Sequence, residues 1–399
     1  MNISLHETSK LLKGNQTYSQ LGFSMLLTRL RNQYAQDDSE ENLIRCAEEI
    51  NAFLGKFVKI MAKDLEKIMK LVETEVKNQV LTFDETCQLI SQGKVMHIAG
   101  SEKLLRKLPQ GNWIGGSTEY FMTDIGGIIT SDRLFVTEYC FDDFKIKTYD
   151  ISEIQNVAND AFENGFSLLL IPFDSELHVS YAKNAHSFEN IFLRNISGWI
   201  TGINPNSNDQ VPITVNGLSH KVFTDNAVVL HLKIPDEQTV EINIINTFEQ
   251  DTTSPIIEFT KEGFLVEKCL INGVETVFAD YLINNKIDTT HPLVGDYHGH
   301  GINISFREIK DGLVHLYVPV FEGVKYRIAK PVADYSKTFN DRIQEISVDK
   351  VIFSCNCLLN FIHGELEGKE TKGFVGPITF GEIAYQLVSQ TLVYITLHG

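Results

Sequence analysis

The run FSLLLIPF at 166–173 restricts the fold more than any other stretch of the chain. Apolar side chains follow one another with almost no alternation. Asn164 and Gly165 stand before the run, and Asp174 and Ser175 after it, as turn residues. An amphipathic helix would show a polar face, and a half-exposed strand would alternate. A short continuous apolar run between turn signals fits a strand buried on both faces. Such a strand needs packed layers above and below it, so the chain must build a layered body. The run is also far too short to span a membrane as a helix.

Other stretches have the same β texture. KVMHIAG (94–100), 125–130 and 133–140 read as strands, and so do IFLRNISGWITGI, VPITVNG, NAVVLHLKI, TVEINIINTF and IIEFT between 190 and 270. GINISFREI and GLVHLYVPVF flank KDG at 310–312, the pattern of a hairpin with a tight turn. VDKVIFSC (348–355) and QTLVYITL (390–397) read as strands near the end. Helices are expected over 84–91, 151–164, 175–185, 275–284 and 332–346, and as a short GEIAYQLV segment after residue 380. No repeat of solenoid period and no low-complexity tract stands out.

The first 80 residues differ. Asp38 and Glu41 form a capping-box pattern, and apolar residues then recur every three or four positions from Leu43 through Ile50, Phe57, Leu65 and Val72 to Val76. This predicts one long helix over 39–78, about 60 Å at 1.5 Å per residue. A shorter helix over 17–34 would pack against it as an antiparallel hairpin. The uncovered half of the stripe would dock on the body or form a homodimer seam.

Charge separates the same two regions. Residues 1–80 carry 11 basic and 11 acidic residues, so the whole net charge of −17 lies beyond residue 80. So acidic a body repels phosphate backbones, which argues against nucleic-acid partners. The polar start MNISLHETSKLLKGNQ lacks the pattern of a secretory signal. Six cysteines, at 46, 87, 140, 269, 355 and 357, are scattered rather than spaced as a disulfide framework. The expectation is a cytoplasmic protein with reduced thiols and no membrane insertion.

The C-terminal third carries a family likeness. VIFSCNC, then GFVGPITFGEIA, then QTLVYITL, resembles the FIST C-terminal domain, with Phe353-Ser354-Cys355, Phe380-Gly381-Glu382-Ile383 and Gln390-Thr391 at the matching positions. PVFEGVKYRIAKPV (319–332) is similar to the segment in which that domain runs a turn and strand into a helix. With the resemblance, the expected fold is α+β with mixed and antiparallel sheets; the helical hairpin that precedes it lies outside the resemblance. The domains would be the hairpin over 1–80, a divergent FIST N-terminal-like α/β domain over 81–270, and a FIST C-terminal-like α+β domain over 271–399. It also implies an intracellular sensor that binds a small, amino-acid-like ligand and signals through a partner. Some members of that family bind haem and sense nitric oxide.

Candidate site residues follow from these segments. Glu382 is expected at a strand-to-helix junction, either capping the helix or anchoring a ligand. Cys355 and Asn356 stand at a strand end, where α/β sites form, with Cys355 and Cys357 read as buried structural thiols or as pocket lining. Arg327 offers a fork for a carboxylate or for an acidic neighbour. Trp113 and Tyr120 flank IGGSTE, which suits close approach of a ligand or a packed turn. His298 and His300, with His291 and Asp296, offer metal-ligand types without a familiar spacing. A haem would be non-covalent, since no C-x-x-C-H occurs; His97 and His231 read as core. No hydrolase, zinc-protease or nucleotide motif appears, so a sensor without catalysis or cofactor is the expectation. The alternatives are a haem sensor and a cysteine- or metal-dependent enzyme.

Overall fold

The computed structural model describes residues 39, 44, 45, 48 and 76–399, apart from 206, 208, 298, 299, 345, 347 and 349. The chain forms two compact units, Met1–Thr74 and Glu75–Gly399. Ile44, Arg45 and Glu48 are helical, and the rest of the expected hairpin, with its dimer seam, lies outside the described residues. The end of the long helix is corrected. Lys77–Leu81 is a strand at a sheet edge, antiparallel to Leu134–Glu138, with Lys77 and Gln79 exposed and Asn78 and Val80 half-buried.

The second unit is a mixed α/β body of several sheets and few helices, built from one motif used three times. The first copy contains β1 (Lys77–Leu81), α1 (Phe83–Ser91), β2 (Val95–Gly100), α2 (Glu102–Leu105), β3 (Trp113–Ser117), β4 (Tyr120–Thr123), β5 (Gly126–Ile129) and β6 (Leu134–Tyr139). The second contains β7 (Phe144–Tyr149), β8 (Gly165–Pro172), α3 (Glu176–Asn184), β9 (Asn195–Thr201), β10 (Thr214–Asn216), β11 (Lys221–Phe223) and β12 (Ala227–Lys233). The third opens with β13 (Thr239–Ile245). An insertion then adds β14 (Ile257–Glu258), β15 (Gly263–Val266), β16 (Lys268–Ile271), β17 (Val274–Val277), α4 (Phe278–Asn284), β18 (Leu293–Tyr297), β19 (His300–Ile304), β20 (Phe306–Lys310), β21 (Leu313–Val320) and β22 (Lys325–Ile328). The third copy resumes with α5 (Tyr335–Gln344), β23 (Val351–Cys357), α6 (Leu358–His363), β24 (Gly376–Thr379), β25 (Glu382–Ala384), β26 (Gln386–Val388) and β27 (Leu392–His398).

The pairings repeat with the elements. β2–β3, β8–β9 and β23–β24 are the parallel pairs, each crossed over by a helix. Each copy then lends its hairpin to another copy's sheet: β10 pairs β3, β25 pairs β9, and β4 pairs β24. The three main sheets run β1-β6-β2-β3-β10-β11, β26-β25-β9-β8-β12-β7 and β13-β27-β23-β24-β4-β5. Segments before and after residue 270 thus share hydrogen-bonded sheets, and the exchange closes in a cycle.

All of the FSLLLIPF run but Phe173 lies in β8, which is buried throughout between β9 and β12. Its Leu169 and Ile171 enter one core with Leu177 and Tyr181, while Leu168 and Leu170 enter another with Phe135 and Phe166. Both faces are apolar because both are covered. At ~1.5–3 kcal/mol for each large side chain, these layers dominate the folding energy.

Three expected helices change. The 151–164 stretch forms only a single 3-10 turn, Ile154–Asn156. Its Asn156, Asn159, Asp160 and Asn164 compete for backbone groups and favour turns. Helix 332–346 shortens to α5, because Asp334 takes the cap: its Oδ1 accepts from the Lys337 amide at 2.9 Å. GEIAYQLV is no helix. It is the β25–β26 hairpin, which turns at Tyr385 with φ 64°. The KDG turn has Asp311 and Gly312 at φ 53° and 77°, as a two-residue primed turn requires.

Candidate functional site

Glu382 therefore caps no helix. It is the first residue of β25, opposite Trp199 of β9, and it is fully buried. Thr379 Oγ1 donates to its Oε1 at 2.9 Å, and the Thr391 hydroxyl and amide donate to Oε2 at 2.8 and 3.3 Å. Burial dominates over these donors and raises its pKa to about 8, so the side chain is a neutral acid at pH 7.

The end of β23 lies alongside. Cys355 and Cys357 point to one face, as the period of two requires. Cys355 Sγ donates to the Gly198 carbonyl at 3.6 Å inside the core. Cys357 lies one pleat further on and contacts the carboxyl of Glu382. Burial, then the nearby Glu382, pushes both thiols well above the usual range. Neither is a nucleophile in this state. We expect half-exposed Cys87 and Cys140 to react with a soluble maleimide at least about 100-fold faster than Cys355 and Cys357, read by mass spectrometry. Comparable rates would show that the β23 end opens freely.

Asn356 faces the opposite side. Its Oδ1 accepts from Asn360 Nδ2 of α6 at 2.9 Å, and both amides are buried with one end unpaired. The structure thus brings Cys355 beside Glu382 and leaves the Asn356 side chain on the other face of β23. It does not bring the other candidates to them. Trp113 packs beneath Gly115 and Gly217 in a separate core, its Nε1 donating to the Pro109 carbonyl at 2.9 Å. Tyr120 is buried against Phe361, its hydroxyl 3.5 Å from Asn204. Arg327 is held in the insertion by the Ser254 carbonyl.

A crevice begins at Cys357, Leu358, Thr379 and Ser389 and ends at Tyr317 of β21. Its free volume of about 10 Å³ suits a single water. Tyr317 also lines a wider cleft of about 160 Å³, with Phe173, His178, Phe264, Arg307 and His315. One wall is the loop after β8 and the start of α3; the other is the insertion. Ser305 and Asn303 of the insertion bond Ser389 and Gln390, with Ser305 Oγ to Ser389 Oγ at 2.6 Å, and so pin it over the third copy. GINISFREI breaks at Ser305 because the chain changes sheet there, β19 pairing with β18 and β20 with β21.

Sequence reasoning missed Phe173, His178, Arg307 and Tyr317. One signal was available: the loop after a strand buried on both faces is where α/β sites gather, and PFDSELH is that loop. Nothing local marks Arg307, whose place depends on how the insertion folds back.

The other histidines take up separate positions. His97 accepts from Trp199 Nε1 at 2.9 Å, and His231 lies between Tyr149 and Ser167 at 3.1 and 2.7 Å. Both are core residues that burial holds neutral, at pKa values of about 3 and 4. His291 accepts from the Val332 amide at 3.1 Å. The His298 and His300 side chains lie outside the described residues. Among the described residues, no three His, Cys, Asp or Glu side chains cluster closely enough to hold a metal ion, and no helix is long and apolar enough to cross a membrane.

Fold and site together define a class: a three-copy α/β body with a buried acid and an inserted subdomain over it. Residues 81–398 match the model of a family of unknown function, DUF6976, and the chain belongs to that family. A search of the curated proteins finds no match.

Proposed function

We propose that this chain is a FIST-like sensor, which binds a small amino-acid-like molecule and passes the signal to a protein partner. The supporting observation is the cleft between the second copy and the insertion, which shares Tyr317 with the small crevice at the third copy. The buried polar group Glu382–Thr379–Thr391–Cys357 stands at the inner end, and the oppositely charged Asp174 and Arg307 stand at the mouth, 3.3 Å apart. A concave, aromatic-lined site with few polar groups is the usual form of a small-ligand pocket. Glu382, the carboxylate of the FIST-like motif, is buried behind Thr379 and Cys357, which line the crevice. The chemistry favours binding over catalysis, because the thiol beside the crevice is paired with a neutral acid rather than a base.

A panel of L-amino acids in a thermal-shift assay tests this reading. We expect at least one to raise the melting temperature with increasing concentration, as ligand linkage requires. Tyr317→Ala, measured against its own unliganded baseline, is expected to abolish the shift. A panel that leaves the wild-type melting temperature unmoved at millimolar concentration refutes the amino-acid reading.

A further inference from the structure

His178 is 3% exposed and lines the cleft. Its place is fixed by the start of α3, where its own amide donates to the Ser175 hydroxyl at 3.0 Å. Nδ1 accepts from the Asp174 amide at 3.3 Å, which puts the ring proton on Nε2. That Nε2 is buried and has no partner. A buried donor left unpaired is destabilising, so the site is one acceptor short.

Arg307 of β20 reaches the cleft from the insertion side. Its guanidinium lies 5.3 Å over the Phe173 ring, and Nη1 is 3.3 Å from Asp174 Oδ2. One N–H direction is thus engaged by Asp174, and the fork has others to offer. Aromatic rings line the same cleft: Phe173 lies 5.5 Å from His178 and 6.0 Å from Tyr317, and Phe264 lies 5.7 Å from His178.

The missing complement is a group that only accepts hydrogen bonds, carries negative charge, and sits on an apolar body. A cation would meet Arg307. A neutral amide would satisfy His178 but leave the guanidinium's charge facing only Asp174. The geometry points to a carboxylate subsite, in which His178 Nε2–H and Arg307 take the two oxygens and Phe173, Phe264 and Tyr317 hold the ligand's apolar or aromatic body. This rests on the small-ligand reading above and specifies which end of the ligand binds at the mouth.

The test uses the full chain, with phenylacetate and isovalerate as probes and phenylacetamide and isovaleramide as matched neutral controls. Affinity is read by calorimetry, and contact by the Nε2 signal of His178 in ¹⁵N-histidine-labelled protein. We expect the acids to bind saturably and shift that signal, and the amides to bind at least about tenfold more weakly. Arg307→Gln is expected to weaken the acids by about tenfold or more; Arg307 is part-exposed, so the fold tolerates the change. Equal binding of acids and amides, an unmoved His178 signal, an Arg307→Gln variant of unchanged affinity, or no binding of any probe overturns the subsite. An amino acid that binds wild type and Arg307→Gln equally keeps the sensor reading and removes the subsite. Acids that shift His178 when no amino acid binds keep the subsite and remove the amino-acid reading.

Discussion

Replacing Gly198 with alanine is expected to cost about 3–5 kcal/mol, enough to leave most of the protein insoluble at 37 °C. Gly198 lies in β9 with φ +148°, a region that residues with a side chain rarely adopt. A Cβ there would stand 1.9 Å from the Leu169 carbonyl oxygen and 2.7 Å from its C and N atoms. These are backbone atoms of the paired strand β8, so no rotamer change relieves the clash. The strand would have to move, with the two cores that β8 separates. On its other edge β9 holds the β25 hairpin of the third copy, so the damage reaches Glu382 directly. Gly93→Ala serves as the control. Its φ is +75°, and nothing lies within 4 Å of an added Cβ. It therefore bears only the backbone penalty, about 1 kcal/mol. Urea midpoints of the two variants measure the difference, and a Gly198→Ala protein within 1 kcal/mol of wild type would show that β8 and β9 are not locked as described.

That lock explains what could be read from the chain and what could not. FSLLLIPF, KVMHIAG and VIFSCNC each announce a buried strand, because burial on two faces leaves a local trace. Their equivalence leaves none. The three copies share a hydrogen-bonding pattern, and any apolar sequence satisfies it; the insertion after β13 then breaks the spacing of the third. The cyclic exchange of hairpins depends on partners far apart in sequence, such as Glu382 with Trp199, which no local window contains.

The site divides in the same way. Glu382 stands out in FGEI as an acid among apolar neighbours. FGEIAYQLV does not reveal its own conformation, since a short apolar segment suits helix and strand alike. Pairing of Glu382–Ala384 with Ser197–Trp199 of β9 makes it a strand, and the chain then turns at Tyr385. Trp113 and Arg327 looked like ligand contacts because their residue types are common in sites. Each instead serves packing or a turn, and the cleft is filled by residues with no motif. His178 and Arg307 come to one cleft only after the insertion folds onto the second copy.

Glu382→Gln is expected to flatten the alkaline side of the stability profile. The acid's pKa is about 8 in the fold against 4.5 as the ordinary value. Between those values the native chain holds a proton that the unfolded chain has released. Stability therefore falls as pH rises from about 4.5 to 8 and levels off above 8, with a total loss on the order of 5 kcal/mol. Buried histidines act in the opposite direction. His97, His178 and His231 have native pKa values of about 3, 4 and 4 against 6.5, so they lower stability as pH falls below 6.5. Wild type should therefore be most stable between the two effects, near pH 6. Gln is close to isosteric with the neutral acid. Its oxygen can accept from Thr391 and its amide can donate to the Thr379 hydroxyl, so the variant should match wild type near pH 5. The histidine side of the profile is common to both proteins and cancels in their difference, which isolates the carboxyl. Urea unfolding of both proteins from pH 5 to 9 gives that difference directly. It should grow in favour of the variant up to about pH 8 and then stop growing. A difference that stays constant would mean that Glu382 is already ionised at pH 5, with its three threonine donors outweighing burial. A fixed negative charge would then stand behind the crevice wall, and an amine, not a neutral polar group, would be the ligand end drawn toward it.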